Sequence, residues 1–364
     1  MVIIGSLLIC GCGRLGFESR TGLNGDANVA IVDGVDGPTS DALADTRRAN
    51  VAFASSETFT GLLGGAVGAD SKCQALALQA GLDNPAAFVA VIRSADRPDP
   101  AAILAGSKGW QTLSGTWIAE TPAQVAALQF RNPLQQTEQN VPISSASAWT
   151  GTVSEADDCN GWLSSNAADA GAAIRLYEGW GGFEGDVSSN CAQTNRVYCF
   201  ETGQRFTRQR RPINNRLMFV SNGTWLPGGG RNAADAFCQN EASAAGLTGA
   251  FVALLPDAGA SALARVDPAG TAKFQRTDGD EVGLLLAPLT YFVVDAAGEQ
   301  VGTMNNVVLT GGPPDSAGGS NCNSWTGPNL ALTEFGILGS VRSRYRLTAA
   351  LVSCNPGHLY CVEQ

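Results

Sequence analysis

Eight of the ten cysteines fall into two sets of four whose spacing nearly repeats, and this constrains the chain more than any other feature. Cys73, Cys159, Cys191 and Cys199 are separated by 86, 32 and 8 positions; Cys238, Cys322, Cys354 and Cys361 by 84, 32 and 7. Flanking residues repeat in the same order. Ala69-Asp70 before Cys73 answers Ala234-Asp235 before Cys238, and each is followed by Ala-Gly-Leu (80–82 and 245–247) and Phe-Val-Ala (88–90 and 251–253). Cys159-Asn160-Gly161-Trp162 answers Cys322-Asn323-Ser324-Trp325, and Tyr198-Cys199-Phe200-Glu201 answers Tyr360-Cys361-Val362-Glu363. Chance does not align so many anchors, so the chain is read as a tandem repeat of one domain, over residues 50–202 and 216–364.

Even cysteine sets in an exported chain read as disulfide frameworks, and four cysteines allow three pairings per repeat that spacing does not decide. A bridge from the first cysteine to the last would close a loop worth about 4–5 kcal/mol. Zinc, the competing use, is set aside because no Cys-x-x-Cys pair occurs.

Each repeat is expected to open with a strand (51–55; 217–221), followed by a helix carrying the first cysteine. Asp70 is placed to cap that helix, and Gly81 and Gly246 to end it. A second strand (87–92; 250–255), a second helix (100–105; 261–264) and further strands such as 289–294 follow. The closing strands are 196–201 and 358–363. Helices early, then short strands and long loops, give an α+β class. Residues 203–215, with Arg205, Arg208, Arg210 and Arg211, read as an exposed Arg-rich hinge, or else a contact for anionic lipid or polysaccharide.

The N-terminus reads as an address. An apolar stretch (2–9) precedes Cys10-Gly11-Cys12, which resembles a bacterial lipoprotein box with Cys12 as the lipidated residue and residues 1–12 as signal peptide. No basic residue precedes the apolar run, unlike most such signals. Residues 13–49, with five Asp and no base between positions 26 and 45, read as a disordered acidic tether. The expected location is the bacterial outer membrane or cell surface, attached by lipid.

The repeated anchors resemble the C-type-lectin-like fold, within it the collagen NC10/endostatin branch, and a domain found in tandem in bacterial surface lipoproteins. Ala-Asp-x-x-Cys, Ala-Gly-Leu, Phe-Val-Ala, Trp149-Thr150-Gly151, Cys-x-x-Trp and the closing Tyr-Cys-x-Glu carry the resemblance. It implies two tandem domains, each with two helices, short antiparallel strands, long loops and nested disulfides: Cys73–Cys199 around Cys159–Cys191, and Cys238–Cys361 around Cys322–Cys354. It implies binding of an extracellular glycan or protein. The calcium triplets of the lectins and the N-terminal histidines of endostatin are missing here. Acidic residues outnumber basic ones 15 to 7 in the first repeat and 12 to 8 in the second, so heparin binding is not carried over either. A net charge of −10 also argues against nucleic acid.

Candidate chemistry is sparse. Glu155, Asp157, Asp158 and Asn160 form one acidic cluster, and Asp278, Asp280 and Glu281 another; solvated loops are the first reading and calcium the second. Trp162 and Trp325 are expected against disulfides. Trp110, Trp117, Trp180 and Trp225 lack obvious twins and read as loop aromatics suited to a sugar face, with Trp180 and Glu178, beside Asp157 and Asp158, as the preferred ligand contacts. The single histidine, His358, is aligned with Asn195 and read as a surface or cap residue rather than a base. No nucleophile elbow or phosphate loop appears. The expectation is a binding protein, not an enzyme, with no metal or cofactor. A structural or adhesion protein is the alternative, and a hydrolase using Glu155 or Asp158 comes third.

Overall fold

The computed structural model describes residues 48–364, apart from 144–145, 152–156, 177–186, 258, 284–293, 302–306, 312–314, 316–320, 328–331, 334 and 338–351. The signal, Cys12 and nearly all of the tether therefore lie outside the described residues, as does most of the strand expected at 289–294. Both repeats belong to one compact unit of mixed α+β structure.

The first repeat runs β1 (Asn50–Ala54), α1 (Gly65–Gln79), β2 (Phe88–Ala90), α2 (Pro100–Ile103), β3 (Trp110–Gln111), β4 (Trp117–Ala119), α3 (Pro122–Ala126), β5 (Ser147–Trp149), α4 (Cys159–Trp162), β6 (Ala170–Arg175), β7 (Val187–Asn190) and β8 (Arg196–Glu201). The second runs β9 (Arg216–Val220), α5 (Gly230–Ala244), β10 (Phe251–Ala253), α6 (Ala262–Val266), β11 (Phe274–Arg276), β12 (Glu281–Gly283), β13 (Val307–Leu309), α7 (Cys322–Trp325), β14 (Leu332–Thr333), β15 (Phe335–Ile337), β16 (Val352–Ser353) and β17 (Tyr360–Glu363). The strand path β2-β8-β1-β3-β4 of the first repeat recurs as β10-β17-β9-β11-β12 in the second. Not every pair is antiparallel, as expected from sequence. β3 runs parallel to β1, β11 to β9, and β5 to β8. The described helices also exceed the expected two per repeat: α3, whose capping box is formed by Thr121 and Gln124, is an additional one in the first.

Strand alternation divides each repeat into two cores. In the first, Phe53, Val197 and Cys199 face α1, while Ala52, Ala54, Tyr198 and Phe200 face the opposite side with Trp110 and Phe130. Leu217, Phe219 and Cys361 against Met218, Val220 and Tyr360 repeat that division in the second. The Ala-Gly-Leu anchors are Schellman ends. Leu82 N–H donates to the Ala77 carbonyl (2.9 Å) and Gly81 N–H to Leu78 (3.0 Å), with Leu247 to Ala242 and Gly246 to Ser243 matching them at 2.9 and 3.0 Å.

Asp70 does not cap α1; it lies inside the helix, where Gly64 is the N-cap. Its carboxylate accepts from Ala90 N–H (2.8 Å) and pairs with both terminal nitrogens of Arg97 (2.9 and 2.6 Å). Asp235 does the same with Ala253 N–H (3.0 Å) and Arg265 (2.7 and 3.0 Å). The Ala-Asp-x-x-Cys anchor thus ties the helix to the second strand, and its arginine partner was not recognisable from local sequence.

The disulfides are nested. Cys73 bonds Cys199 and Cys159 bonds Cys191; Cys238 bonds Cys361 and Cys322 bonds Cys354. The outer bridge fastens the long helix to the closing strand. The inner one holds a turn in which every residue has left-handed backbone: φ is 52°, 57°, 68° and 62° from Cys159 to Trp162, and 54°, 53°, 54° and 66° from Cys322 to Trp325. Such backbone is disfavoured by about 1–2 kcal/mol per L-residue, so it persists only where its surroundings impose it.

Candidate functional site

The left-handed turns show how the sequence imposes that conformation. Asp158 is 2% exposed, and its side chain accepts from Gly161 N–H at 2.9 Å. Asn321 accepts from Ser324 N–H at 2.9 Å in the second repeat. Trp162 and Trp325 are fully buried, and their Nε1 atoms donate to the Arg93 carbonyl (2.7 Å) and the Pro256 carbonyl (2.9 Å). The Thr-Gly anchors complete this wall. A Cβ on Gly151 would lie 2.3 Å from the Arg93 oxygen, and one on Gly311 would lie 2.8 Å from the Trp325 ring. Asp158 is therefore a capping group sealed from solvent, which removes it as a ligand contact or catalytic acid. Asp157 is half-buried beside it. Trp180, Glu178 and Glu155 lie outside the described residues.

The remaining tryptophans are not open aromatics. Trp110, Trp117 and Trp225 are 0%, 4% and 7% exposed. Sheet register also supplies the twins that sequence alignment did not. Trp110 takes the place of Phe274 beside the first strand, and Trp225, bridged to Gly357, takes that of Phe59, bridged to Asn195. Trp225 packs on Trp325 at 6.2 Å, as Trp149 packs on Trp162 at 5.7 Å. They fill cores because these short strands bring apolar faces together at positions separated widely in sequence.

The same register corrects His358, whose counterpart is Arg196 rather than Asn195. Arg196 donates to the Ser55 carbonyl, and His358 Nδ1 donates to the equivalent Ser221 carbonyl at 2.7 Å. The imidazole is 6% exposed, hence neither on the surface nor placed as a base for solvent-borne substrate.

The densest charged constellation among the described residues lies where the repeats meet. Arg276, on β11, donates through Nε and Nη2 to Asp278 (3.0 and 2.7 Å) and through Nη2 to Asp280 (2.7 Å). Its Nη1 crosses to the first repeat, donating to the Arg131 carbonyl (2.9 Å) and Asn132 Oδ1 (3.1 Å). Arg131 returns the contact through Nη1 to Asp278 (3.3 Å) and the Gly298 carbonyl (3.1 Å). Arg208 closes the set on Asp278 (2.9 Å) and Asp280 (2.5 Å). Asp278 and Asp280 are thus committed to guanidiniums, which corrects the first reading, a solvated loop, and leaves them no free oxygens arranged for the second, calcium. Burial works to raise the Asp278 carboxyl, but Arg276, Arg208 and Arg131 outweigh it and hold the group well below the usual carboxylate range.

The Arg-rich segment expected as an exposed hinge is also tied down in part. Much of 203–215 is exposed, yet Phe206 N–H donates to the Lys108 carbonyl (2.9 Å), and Phe206 packs on Trp117 at 6.1 Å. Beside the cluster, Glu120, Arg131, Arg208, Arg210, Asp278, Gly298 and Glu299 line a cavity of about 160 Å³. Three arginines and three acids balance there, so it offers no net charge to an ion. Two convergent carboxylates do occur at the junction, but each is paired with arginine, and Asp278, held ionised by three guanidiniums, is not poised to donate a proton. No family model matches the chain, and no curated protein matches it.

Proposed function

We propose that the chain is a binding protein of the bacterial envelope, lipid-anchored through Cys12, whose repeats are tandem C-type-lectin-like domains of the endostatin-like branch. In this reading it recognises an extracellular glycan or protein without calcium and without catalysis. One observation carries it: the skeleton is duplicated in strand path, nested bridges and left-handed turns, while the segments enclosed by the inner bridges differ between repeats. A fixed frame with variable enclosed loops is the usual arrangement of a recognition module. Trp180, within 159–191, is the leading candidate contact. Calcium independence is supported by the commitment of Asp278 and Asp280 to arginines and of Asp158 to its cap.

A glycan array on the full chain with disulfides intact, run with calcium and with chelator, tests this. Binding that survives the chelator and falls on Trp180→Ala, with unchanged melting temperature, is the expected result. Binding abolished by the chelator refutes calcium independence.

A protein ligand is the second reading, favoured by a difference between the repeats. Leu62, Val67, Leu78 and Leu163 are 52%, 72%, 68% and 59% exposed. Their counterparts in the second repeat are Pro227, Asn232, Ser243 and Thr326. Silence on the array would direct attention to these positions as a contact for an envelope protein.

A further inference from the structure

The β3–β4 turn of the first repeat and the β11–β12 turn of the second occupy the same place in their sheets. Both are closed by the same backbone bonds: Thr112 N–H to the Thr116 carbonyl (2.8 Å) with Gly115 N–H to Thr112 (2.9 Å), and Arg276 N–H to Asp280 (2.8 Å) with Gly279 N–H to Arg276 (2.9 Å). Their chemistry differs. Thr112, Ser114 and Thr116 stand where the second repeat has Arg276, Asp278 and Asp280. In the first repeat the hydroxyls bond one another and Gln136 (2.9, 3.3 and 2.8 Å), all inside the repeat. In the second, the charges reach Arg131 and Asn132 of the other repeat and Arg208 of the connecting segment.

The turn glycines mark the same contrast. Gly115 (φ 83°) has open space where a Cβ would stand, whereas a Cβ on Gly279 (φ 92°) would lie 2.8 Å from the backbone N and O of Arg211. The connecting segment is wrapped on the turn, with Gln275 accepting from Asn214 N–H (2.9 Å) and donating to the Pro212 carbonyl (2.9 Å).

We infer that the Arg276–Asp280 turn is a dedicated clasp that joins the two repeats into one fixed body, and that the contact is used once per chain. It joins unlike surfaces, a turn on one repeat and the Arg131–Asn132 face on the other. Head-to-tail contacts of this kind propagate into filaments when each unit carries both halves. The uncharged turn of the first repeat cannot take the turn's part again, so the series ends within the chain. Whatever the protein binds is therefore met by two repeats at a fixed mutual orientation, not by two independent beads.

Calorimetry, small-angle scattering and sedimentation of the full chain test the clasp. Wild type should unfold in one transition, sediment as a monomer, and show a maximum dimension unaffected by added salt. Asp278→Asn should split the transition in two and lengthen the particle. Gly279→Ala should do the same, while Gly115→Ala, with the same backbone strain and no contact, should lower the melting temperature without splitting it. If Asp278→Asn fails to fold, Arg208→Gln removes one arm from outside both cores and should also lengthen the particle. Two transitions in wild type, concentration-dependent oligomers, or unchanged dimensions in Gly279→Ala and Arg208→Gln would overturn the inference.

Discussion

Removing one disulfide at a time separates what the bridges do. In the first repeat the outer bridge spans 126 positions and the inner one 32. If each acts by restricting the unfolded chain, loop entropy assigns about 5 kcal/mol to the outer bridge and about 4 to the inner, a difference of about 1 kcal/mol. The comparison is well matched, because all four cysteines are 0% exposed and truncation to Ala leaves comparable voids. The second repeat, with separations of 123 and 32, provides an independent copy of the experiment. The assay is urea unfolding of the paired variants Cys73→Ala/Cys199→Ala and Cys159→Ala/Cys191→Ala, followed by tryptophan fluorescence and extrapolated to water. The outer pair should lose more stability in both repeats. The inner bridge, however, also holds four residues in left-handed backbone. Should its removal cost as much as the outer bridge or more, the entropic ranking is wrong, and holding the strained turn is the inner bridge's main work.

Three further outcomes follow from the geometry. Asp278 ionises in the folded state well below its unfolded value of about 3.9, so its contribution is complete above that value and is lost as pH falls below it. The stability gap between wild type and Asp278→Asn should stay constant from pH 7 to about pH 4.5 and narrow only below about 4; a gap that closes between pH 5 and 7 would contradict this. Gly151→Ala combines a positive φ of 70° with a Cβ 2.3 Å from the Arg93 oxygen, and should cost about 3 kcal/mol or more by thermal unfolding. His358→Ala should lose about 1–2 kcal/mol by stranding the buried Ser221 carbonyl, whereas His358→Arg, which supplies the residue used at Arg196, should recover most of it.

Several elements were legible because they depend on neighbours in sequence. The closing strand 196–201 is a short apolar run, Val197 to Phe200, bounded by Arg196 and Glu201; the Ala-Gly-Leu helix ends follow from glycine's access to positive φ. The cysteine arithmetic fixed the duplication itself. Side-chain roles were harder to read wherever the partner lay far along the chain. Asp70 looks like a cap beside its own helix, and only packing of that helix on β2 presents it to Ala90 and Arg97. Tryptophans in Gly-rich sequence look exposed, yet two-residue and three-residue strands carry Trp110 and Trp117 into the core.

By itself, then, the sequence determined two copies of one cysteine-braced α+β unit, because covalent spacing and local backbone preference are properties of the chain alone. The tertiary structure decided what the charges do. Arg131, Arg208, Arg276, Asp278 and Asp280 come from three separate segments; in sequence Arg208 reads as part of a hinge and Asp278 and Asp280 as a solvated acidic loop, while Arg131 and Arg276 carry no local signal. Their Coulomb energy depends on distance and desolvation, which exist only once the two repeats have closed on each other.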